Sequence, residues 1–289
     1  MPLVDMNSIL VPARKYGYGV GAFEFWSLDS AQAIVRVAEK LQRPVILQAG
    51  PFEIDYAGGT SALAAIARLA AERADVPVAL HLDHGDSIDL ARQCIESGFT
   101  SVMIDVSHCE FDENVETTCR VVEMARKAGV SVESELGTLP GAETRLEVAE
   151  EDALMTDPDE AVRFVALTGI DALAVAIGTV HGFYRFKPRI DLARLARIAS
   201  KVSVPLVLHG GSGTPTETIV EAIRNGVAKV NICTEFLQAM GRAYTSVQAD
   251  DGFRYSVPTL FGPARDAGEK LVASKIELFS RGLETRPWK

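Results

Sequence analysis

The chain is poor in cysteine, in tryptophan and in positive charge. It has 4 cysteines and 2 tryptophans among 289 residues, and 29 Lys+Arg against 39 Asp+Glu give a formal net charge of -10. This acidic balance argues against non-specific binding to nucleic acid or to anionic membranes, because phosphate-rich surfaces attract Lys and Arg. We therefore expect neither a nucleic-acid partner nor a membrane partner.

Several segments with recognisable functions are also missing. No apolar run is long enough to span a bilayer, and residues 1–14 lack the basic and apolar regions of a secretory signal. The absence of a Walker lysine motif, and of GxGxxG after the first apolar run, disfavours nucleotide binding by those routes. The cysteines form no CxxC pair, so we interpret them as reduced and expect a cytoplasmic protein. They are Cys94, Cys109, Cys119 and Cys233.

Short apolar runs alternate along the chain with helix-length amphipathic segments. Continuous apolar strands are typical of a parallel sheet that helices cover on its outer face. The predicted strands are residues 19–25, 44–48, 77–82, 101–105, 131–135, 172–176, 205–209 and 228–231. The predicted helices are residues 28–41, 60–73, 88–96, 113–127, 159–168, 192–200, 215–224 and 235–248.

This order of elements predicts the fold class. Repeated strand-then-helix units predict an α/β fold, a (β/α)8 TIM barrel, with a doubly wound open sheet as the competing architecture. Residues 263–279 are predicted to form an additional C-terminal helix, and residues 137–157 a long acidic loop. No linker or break in composition divides the chain, so we expect residues 1–289 to form a single domain.

The histidines follow the predicted strand ends. His84 lies in HLDHG, His181 in IGTVHG and His209 in HGGSG. All strand C-terminal ends of a parallel barrel meet at one face, so these three side chains can converge on one metal ion. Three imidazoles without cysteine leave an open position on Zn²⁺, as in catalytic sites, although Co²⁺ or Fe²⁺ would also suit them. His81 and His108 are more simply interpreted as ordinary hydrogen-bonded residues, and His81 as a side chain that could also support the site.

Carboxylates accompany the histidines. Asp83 lies beside His84 and is the strongest acid–base candidate, because a carboxylate there can accept a proton from a hydroxyl held by the metal. The alternatives are that Asp83 orients a ligand histidine or caps a helix. Asp105 and Glu135 also end predicted strands, and they could support the ligand histidines or bind metal themselves.

Two loops are candidates for binding phosphate. The GGSG run at residues 210–213 precedes a predicted helix, where free backbone N–H groups favour anions. TIM barrels often bind phosphate in the loops after strands seven and eight. The second of these loops contains Asn231, Cys233 and Thr234.

Taken together, these motifs resemble the class II, metal-dependent fructose- and tagatose-bisphosphate aldolases. The matching stretches are GAFEF at 21–25, HLDHG at 81–85, VMID at 102–105, VESELG at 132–137, IGTVHGFY at 177–184, VLHGGSG at 207–213 and KVNICTEF at 229–236. The resemblance implies a zinc site made of His84, His181 and His209. It also implies that Asp83 moves the proton on the hydroxyl next to the cleaved bond.

The resemblance extends to contacts that the residues alone do not define. It implies that Glu143, in a mobile loop, carries a proton to the donor carbon, and that Arg185 is a basic phosphate contact. It places a Na⁺ or K⁺ at Val180, Gly182, Gly210 and Ser212. It implies a homodimer or homotetramer. It assigns the substrate phosphate to Gly182, Arg185, Gly210, Ser212, Asn231 and Thr234.

Four positions depart from the family pattern. Glu24 stands where these aldolases usually have Asn, and Gly50 where many have Ser. Val106 replaces a common Gly, and Cys233 replaces the Asp of the fructose-bisphosphate enzymes. These changes affect substrate contacts more than the metal set, so they argue against fructose 1,6-bisphosphate and leave the reaction type intact.

The sequence therefore predicts a zinc-dependent aldolase, a carbon–carbon lyase. It would cleave or form the C3–C4 bond of a ketose phosphate and release dihydroxyacetone phosphate and an aldehyde. One alternative is a Schiff-base aldolase, which needs a lysine at a strand end, whereas Lys229 is predicted to open the eighth strand. The other is a non-catalytic subunit that supports a partner aldolase, for which a chain without the metal histidines would be a better fit.

Overall fold

Eight parallel strands close into a barrel in chain order. The structure, a computed structural model, describes residues 3–141, 153–182, 189–248, 256–281, 283 and 288. The closed barrel confirms the predicted TIM barrel, and the open doubly wound sheet is excluded. The strands are β1 (Val20–Glu24), β2 (Val45–Ala49), β3 (Val78–Gly85), β4 (Ser101–Ile104), β5 (Ser131–Leu136), β6 (Ala172–Val175), β7 (Leu206–Leu208) and β8 (Val227–Ile232).

Helices alternate with the strands and cover the outside of the barrel. The predicted extra C-terminal helix is present and begins earlier than expected, at Val257. The helices in the described residues are α1 (Asn7–Tyr16), α2 (Leu28–Leu41), α3 (Pro51–Ala57), α4 (Thr60–Ala71), α5 (Ile88–Ser97), α6 (Phe111–Ala128), α7 (Pro158–Thr168), α8 (Leu192–Lys201), α9 (Thr216–Arg224), α10 (Thr234–Gln248) and α11 (Val257–Phe279). Within this part of the chain, none combines the length and apolar character that crossing a bilayer would require.

Two helices, α1 and α3, were not predicted from the sequence. Pro12 lies inside α1 and obscures its helical pattern, and α3 has only 7 residues. α1 lies at the N-terminal ends of the strands, where the Met6 amide donates to Ser131 Oγ at 3.0 Å. Its Ile9, Leu10 and Ala13 pack against apolar side chains from inside the barrel. α1 therefore closes the end of the barrel opposite the strand C-termini.

The larger apolar core lies between the strands and the surrounding helices. Every strand is buried along its whole length, which explains why the sequence shows continuous apolar runs rather than alternation. Several helices end at the glycines that the sequence predicts as helix stops. Gly129 and Gly169, for example, end α6 and α7 with φ of 69° and 64°, a left-handed backbone that glycine adopts without strain.

The predicted loop at 137–157 is only partly described. Its two ends are joined, because the Thr138 amide donates to the Leu154 carbonyl at 2.8 Å and the Leu154 amide donates to Thr138 Oγ1 at 2.8 Å. Glu143 and Arg185 lie outside the described residues, so their predicted roles stay predictions.

Candidate metal centre and active site

Three histidines from different strand ends meet at the mouth of the barrel. One ring nitrogen each of His84, His181 and His209 lies within 4.8 Å of the others. The ring centroids of His84 are 5.0 Å from His181 and 4.4 Å from His209. His84 belongs to β3, His209 directly follows β7, and His181 lies in the segment after β6. The barrel thus brings together residues that are far apart in the sequence, as the motif positions predict.

An irregularity in β3 sets the direction of His84. The pairing of β3 with β4 shifts register between Leu82 and Gly85, and His84 has a φ of 45°. Such bulges redirect side chains next to active sites, and a left-handed non-glycine residue carries strain of about 1–2 kcal/mol. A Cβ at Gly85 would collide with the Met103 carbonyl. The HLDHG run therefore needs its final glycine to let β3 approach β4.

Two carboxylates, the half-buried Asp105 and the buried Glu133, hold the outer nitrogens of two histidines. His84 Nδ1 lies 2.7 Å from Asp105 Oδ2, and His209 Nε2 lies 3.0 Å from Glu133 Oε1. These contacts assign the N–H to Nδ1 of His84 and to Nε2 of His209. The remaining nitrogens, His84 Nε2 and His209 Nδ1, face each other at 2.7 Å. Ligand histidines are commonly oriented in this way by hydrogen bonds to carboxylates.

The electrostatics of this cluster favour a cation. Burial lowers the pKa of His84, but the charge of Asp83, the hydrogen bond and charge of Asp105, and the charge of Glu135 raise it to about 10. Burial, with the charge of His84 next, lowers the pKa of His209 well below its ordinary value. Positive charge is thus stabilised at the point where the two inner nitrogens meet. Imidazole donors without cysteine match a catalytic Zn²⁺ site, so the residues fit a divalent ion.

Glu135 forms a second candidate metal-binding group together with His84 and Asp105. Its Oε2 is 3.9 Å from His209 Nδ1 and has no hydrogen-bond partner among the described residues. Burial, reinforced by the charge of Asp105, raises the pKa of Glu135 well above its ordinary value. Both carboxylates therefore lie where the sequence places them, close enough to support the histidines or to bind metal themselves.

Asp83 is fixed between two amide donors. Asn231 Nδ2 donates to its Oδ1 at 3.0 Å, and Gln48 Nε2 donates to its Oδ2 at 2.9 Å. The carboxylate is buried next to the histidine cluster. The alternative interpretation as a helix cap is wrong, because Ser87 accepts from the Leu90 amide and caps α5. Asp83 is thus held as a hydrogen-bond acceptor whose two oxygens keep a defined direction.

A buried ion pair lies next to the metal cluster, and its carboxylate was not predicted from the sequence. Lys229 Nζ contacts the Glu133 oxygens at 3.0 and 2.9 Å and lies 4.0 Å from Asp83 Oδ1. Lys229 lies near the start of β8, two residues after Val227, and does not end the strand, as the sequence predicts. Both side chains are fully buried. A polar residue two positions before Glu135 in a buried strand was the available signal, since the two share a face.

His81 is a buried core residue next to this pair. Its Nδ1 lies 2.8 Å from Ser101 Oγ, and its Nε2 lies 3.6 Å from Glu133 Oε2. Burial, followed by the charge of Lys229, lowers its pKa well below the ordinary value. His108 is exposed and stands outside the groups of possible ligands that the described residues form. Both arrangements agree with the simpler interpretation of these two histidines.

The two candidate phosphate loops are joined to each other. The Gly213 amide donates to Glu235 Oε1 at 2.8 Å, and the Glu235 amide donates to Ser212 Oγ at 3.2 Å. Gly210 has a φ of 67°, and a Cβ there would collide with the Val180 carbonyl. Val180 therefore lies directly beside Gly210, and the GGSG run contacts the first turn of α10, which begins at Thr234.

Asn231 differs from the other predicted phosphate contacts. Its Nδ2 donates to Asp83 and also lies 3.5 Å from His209 Nε2, and its Oδ1 has no hydrogen-bond partner among the described residues. The side chain thus faces the centre of the site and links β8 to Asp83.

Glu24, Gln48 and Gly50 form the side of the site next to Asp83. Gln48 Nε2 donates to Glu24 Oε2 at 3.0 Å, and the Gly50 amide donates to Glu24 Oε1 at 2.8 Å. The Gly50 amide also lies 3.2 Å from Glu53 Oε2. Burial raises the pKa of Glu53, and a hydrogen bond with Glu24 acts in the opposite direction by lowering it. Of these residues, Gln48 and Glu53 were missed by sequence reasoning, although a glutamine within the apolar run VILQA was a visible signal.

The comparisons with known proteins agree with the geometry. The family model described as fructose-bisphosphate aldolase class-II matches residues 4–282. The "Probable fructose-bisphosphate aldolase" of Bacillus subtilis is 42% identical over 281 residues, which are 96% of this chain and 98% of that protein. The fructose-bisphosphate aldolase of Staphylococcus aureus is 41% identical over the same shares of the two chains.

A solved structure extends the likeness to the whole fold. The YdjI aldolase from Escherichia coli K12 superposes with a TM-score of 0.86 at 32% identity, covering 98% of this chain and 100% of that one. The family match spans nearly the entire chain, so it includes all the motifs that carry the resemblance and all eight strands of the barrel. The chain therefore belongs to the class II fructose-bisphosphate aldolase family, whose members are lyases.

Proposed function

We propose that this chain is a zinc-dependent aldolase that cleaves or forms the C3–C4 bond of a ketose phosphate. The products of cleavage would be dihydroxyacetone phosphate and an aldehyde. One observation supports this proposal above the others: the inner nitrogens of three histidines converge within 4.8 Å, beside a carboxylate held by two amides.

The metal would be held by His84, His181 and His209, through Nε2 of His84 and Nδ1 of His209. Zn²⁺ suits this donor set best, and Co²⁺ or Fe²⁺ are the alternatives. When bound, the ion supplies Lewis-acid stabilisation to the ketose oxygens, worth several kcal/mol for the charge that develops on cleavage. Asp105 and Glu133 fix the ring orientations by accepting from the outer nitrogens.

Asp83 would move the proton at the substrate's C4 hydroxyl. In cleavage it accepts that proton as the C3–C4 bond breaks, and in condensation it returns the proton to the new hydroxyl. Gln48 and Asn231 keep both carboxylate oxygens in place, so the base is already positioned when substrate arrives. Glu143 would protonate the donor carbon after cleavage, a role that the family resemblance supports.

The linked loops after β7 and β8 would hold the substrate phosphate. Close approach between Gly210 and Val180, together with the Ser212 and Gly213 contacts to Glu235, gives these loops a fixed shape. Backbone N–H groups at a helix N-terminus favour anions. The proposed phosphate contacts are Gly182, Arg185, Gly210, Ser212, Asn231 and Thr234, with Na⁺ or K⁺ at Val180, Gly182, Gly210 and Ser212.

The Schiff-base alternative is not favoured. Lys229 is fully buried, and both oxygens of Glu133 contact its Nζ. A fully buried amine whose Nζ is occupied by a carboxylate is not presented to a ketone as a nucleophile. The non-catalytic alternative is not favoured either, because the metal histidines and Asp83 are all present in one cluster. We further propose a cytoplasmic homodimer or homotetramer whose partner is a small sugar phosphate.

Metal removal and replacement test the proposal. The purified chain would be depleted with a chelator, reloaded with Zn²⁺, Co²⁺ or Fe²⁺, and assayed for release of dihydroxyacetone phosphate from a panel of ketose 1-phosphates and bisphosphates. We expect His84→Ala, His181→Ala and His209→Ala to lose the bound ion and turnover, while His108→Ala, which alters an exposed histidine, keeps both.

Two results would contradict the proposal. One is full activity in the chelated protein. The other is a covalent adduct trapped by borohydride in the presence of substrate, because only an amine nucleophile forms a reducible imine.

A further inference from the structure

The residues at the ends of β1 and β2 lie beside Asp83, where Gln48 donates to Oδ2 while Asn231 of β8 donates to Oδ1. We name Glu24, Gln48, Gly50 and Glu53 the β1–β2 wall. Glu24 pairs with Gln48 across the two strands, and Gln48 pairs with His81 of β3. Gln48 Nε2 then reaches Asp83 Oδ2 at 2.9 Å. In the proposed function Asp83 serves the C4 hydroxyl, so the carbons beyond C4 would lie within reach of this wall, which contacts Asp83 directly.

The β1–β2 wall presents more hydrogen-bond acceptors than donors. The Gln48 amide group donates to carboxylates of both Glu24 and Asp83, and this fixes its orientation. Its Oε1 is buried and has no hydrogen-bond partner among the described residues, although the side chain is 0% exposed. A buried acceptor without a donor is unfavourable, and a ligand hydroxyl would satisfy it. The oxygens of the wall therefore favour a ligand that carries hydrogen-bond donors, such as hydroxyl groups.

The charge of the wall also favours an uncharged ligand over an anionic one. Glu24 is 4% exposed, so its carboxylate is little screened by water. The wall's own residues include no cationic side chain and two carboxyl groups, those of Glu24 and Glu53, which share a hydrogen bond. Asp83 adds a third carboxyl group, whose Oδ1 lies 4.0 Å from Lys229 Nζ. A phosphate in this position would meet negative charge, and within the wall itself the Gln48 and Gly50 amides already donate to carboxylates. Such contacts discriminate against an anionic ligand.

The residues at positions 24 and 50 also offer no side-chain donor. A carboxylate such as Glu24 only accepts hydrogen bonds, and Gly50 has no side chain. A Cβ at Gly50 would lie 3.2 Å from Glu53 Oε2, so a small side chain there would reach the centre of the wall. A side chain at either position would therefore lie close to Asp83, where it could affect which substrate the enzyme selects.

We propose that the β1–β2 wall makes this enzyme selective for an unphosphorylated, hydroxyl-bearing aldehyde fragment, with Glu24 as the main specificity-determining residue. The proposal rests on the aldolase function proposed above and narrows its substrate to ketose 1-phosphates whose far end is an uncharged polyol. A phosphate at that end would be disfavoured by the charge of the wall and by the shortage of donors among the wall's described residues.

The test compares matched aldehydes in the condensation direction with the Zn²⁺-loaded enzyme and dihydroxyacetone phosphate. The pairs are D-glyceraldehyde with D-glyceraldehyde 3-phosphate, and D-erythrose with D-erythrose 4-phosphate. We expect kcat/KM to favour the free aldehyde by at least about tenfold in each pair, because like-charge contacts disfavour the phosphorylated one. Glu24→Asn should shift this ratio toward the phosphorylated aldehyde by about tenfold or more, mainly through KM of the aldehyde.

Further variants keep the test interpretable. Glu24→Gln preserves size and should shift the ratio in the same direction, and Gly50→Ser should add to the effect. Glu116→Asn, at an exposed position of α6, should leave the ratio unchanged. Equal or better use of the phosphorylated aldehydes by the unaltered enzyme would overturn the proposal, as would an unchanged ratio in folded Glu24→Asn. Condensation of no aldehyde at all would instead contradict the aldolase function itself.

Discussion

The chemistry of this site depends on how single side chains are held. Asp83, His84 and His209 belong to short motifs rich in histidine and glycine, so they could be predicted from the sequence. Glu133 and Gln48 could not, because a polar residue within an apolar strand reveals its partners only when strand order and register are known. Closure of the barrel supplies that information by bringing β1, β2, β5 and β8 around one centre.

Replacement of Asp83 should separate metal binding from turnover. Asp83→Asn keeps the shape but cannot take the hydroxyl proton, so we expect kcat to fall about 100- to 10,000-fold. The zinc content, measured by elemental analysis, should stay near that of the unaltered enzyme. The proposed ligands are His84, His181 and His209, and Asp83 is not one of them. Asp86→Asn, an exposed position just after the same motif, is the matched control. A near-native rate in Asp83→Asn would rule out the assigned role.

Glu133 should affect metal affinity without touching the metal. It accepts from His209 Nε2 at 3.0 Å and so turns Nδ1 toward the cluster. We expect Glu133→Gln to weaken metal binding about 10- to 100-fold, as for other residues that orient ligand histidines. Competition between the protein and a chelator for Co²⁺, followed by the visible spectrum of the ion, measures this without an activity assay.

A control is needed because the same substitution leaves Lys229 without its partner. In Glu133→Gln/Lys229→Met the uncompensated charge is gone, so its stability, measured by urea unfolding, should exceed that of the single variant. The loss of metal affinity should remain in the double variant. Recovery of full affinity there would mean that the charge pair, rather than the contact to His209, controls metal binding.

At the scale of elements, the strands were easier to predict than the helices around them. All eight predicted strands overlap those of the barrel, because burial on both faces leaves a continuous apolar run. Helices α1 and α3 were missed, since a proline inside one and the short length of the other hide their periodicity. Bulges are hidden too, because they depend on the neighbouring strand, as in β3.

The bulge in β3 gives a prediction about Gly85. In Gly85→Ala the new methyl group would collide with the Met103 carbonyl, so β3 must move away from β4. We expect unfolding free energy to fall by about 1–3 kcal/mol, together with weaker metal binding because His84 is the preceding residue. Urea unfolding and metal titration measure the two effects. Gly241→Ala, which meets nothing within 4 Å in α10, should be neutral or stabilising.

For the whole molecule, metal binding should be linked to stability. The three histidines come from strand ends distributed around the barrel, so the complete ligand set exists only in the folded chain. A ligand at 100 times its dissociation constant stabilises the folded state by about 2.7 kcal/mol. We expect a chelator to lower Tm in scanning calorimetry, and His209→Ala to show a smaller chelator effect. An identical Tm with and without metal would argue against a preformed folded-state site.

Helix α1 connects distant parts of the chain. Arg14 Nη2 donates to the Ala199 carbonyl at 3.3 Å, Asn7 Nδ2 donates to Asp171 Oδ1 at 2.6 Å, and the Gly19 amide just beyond it donates to the Phe279 carbonyl at 2.8 Å. During synthesis on the ribosome this helix emerges early, yet its partners emerge much later. The N-terminal segment therefore cannot dock fully until these later residues have left the exit tunnel. Closure of this end of the barrel by α1 is thus a late step when the chain folds during synthesis.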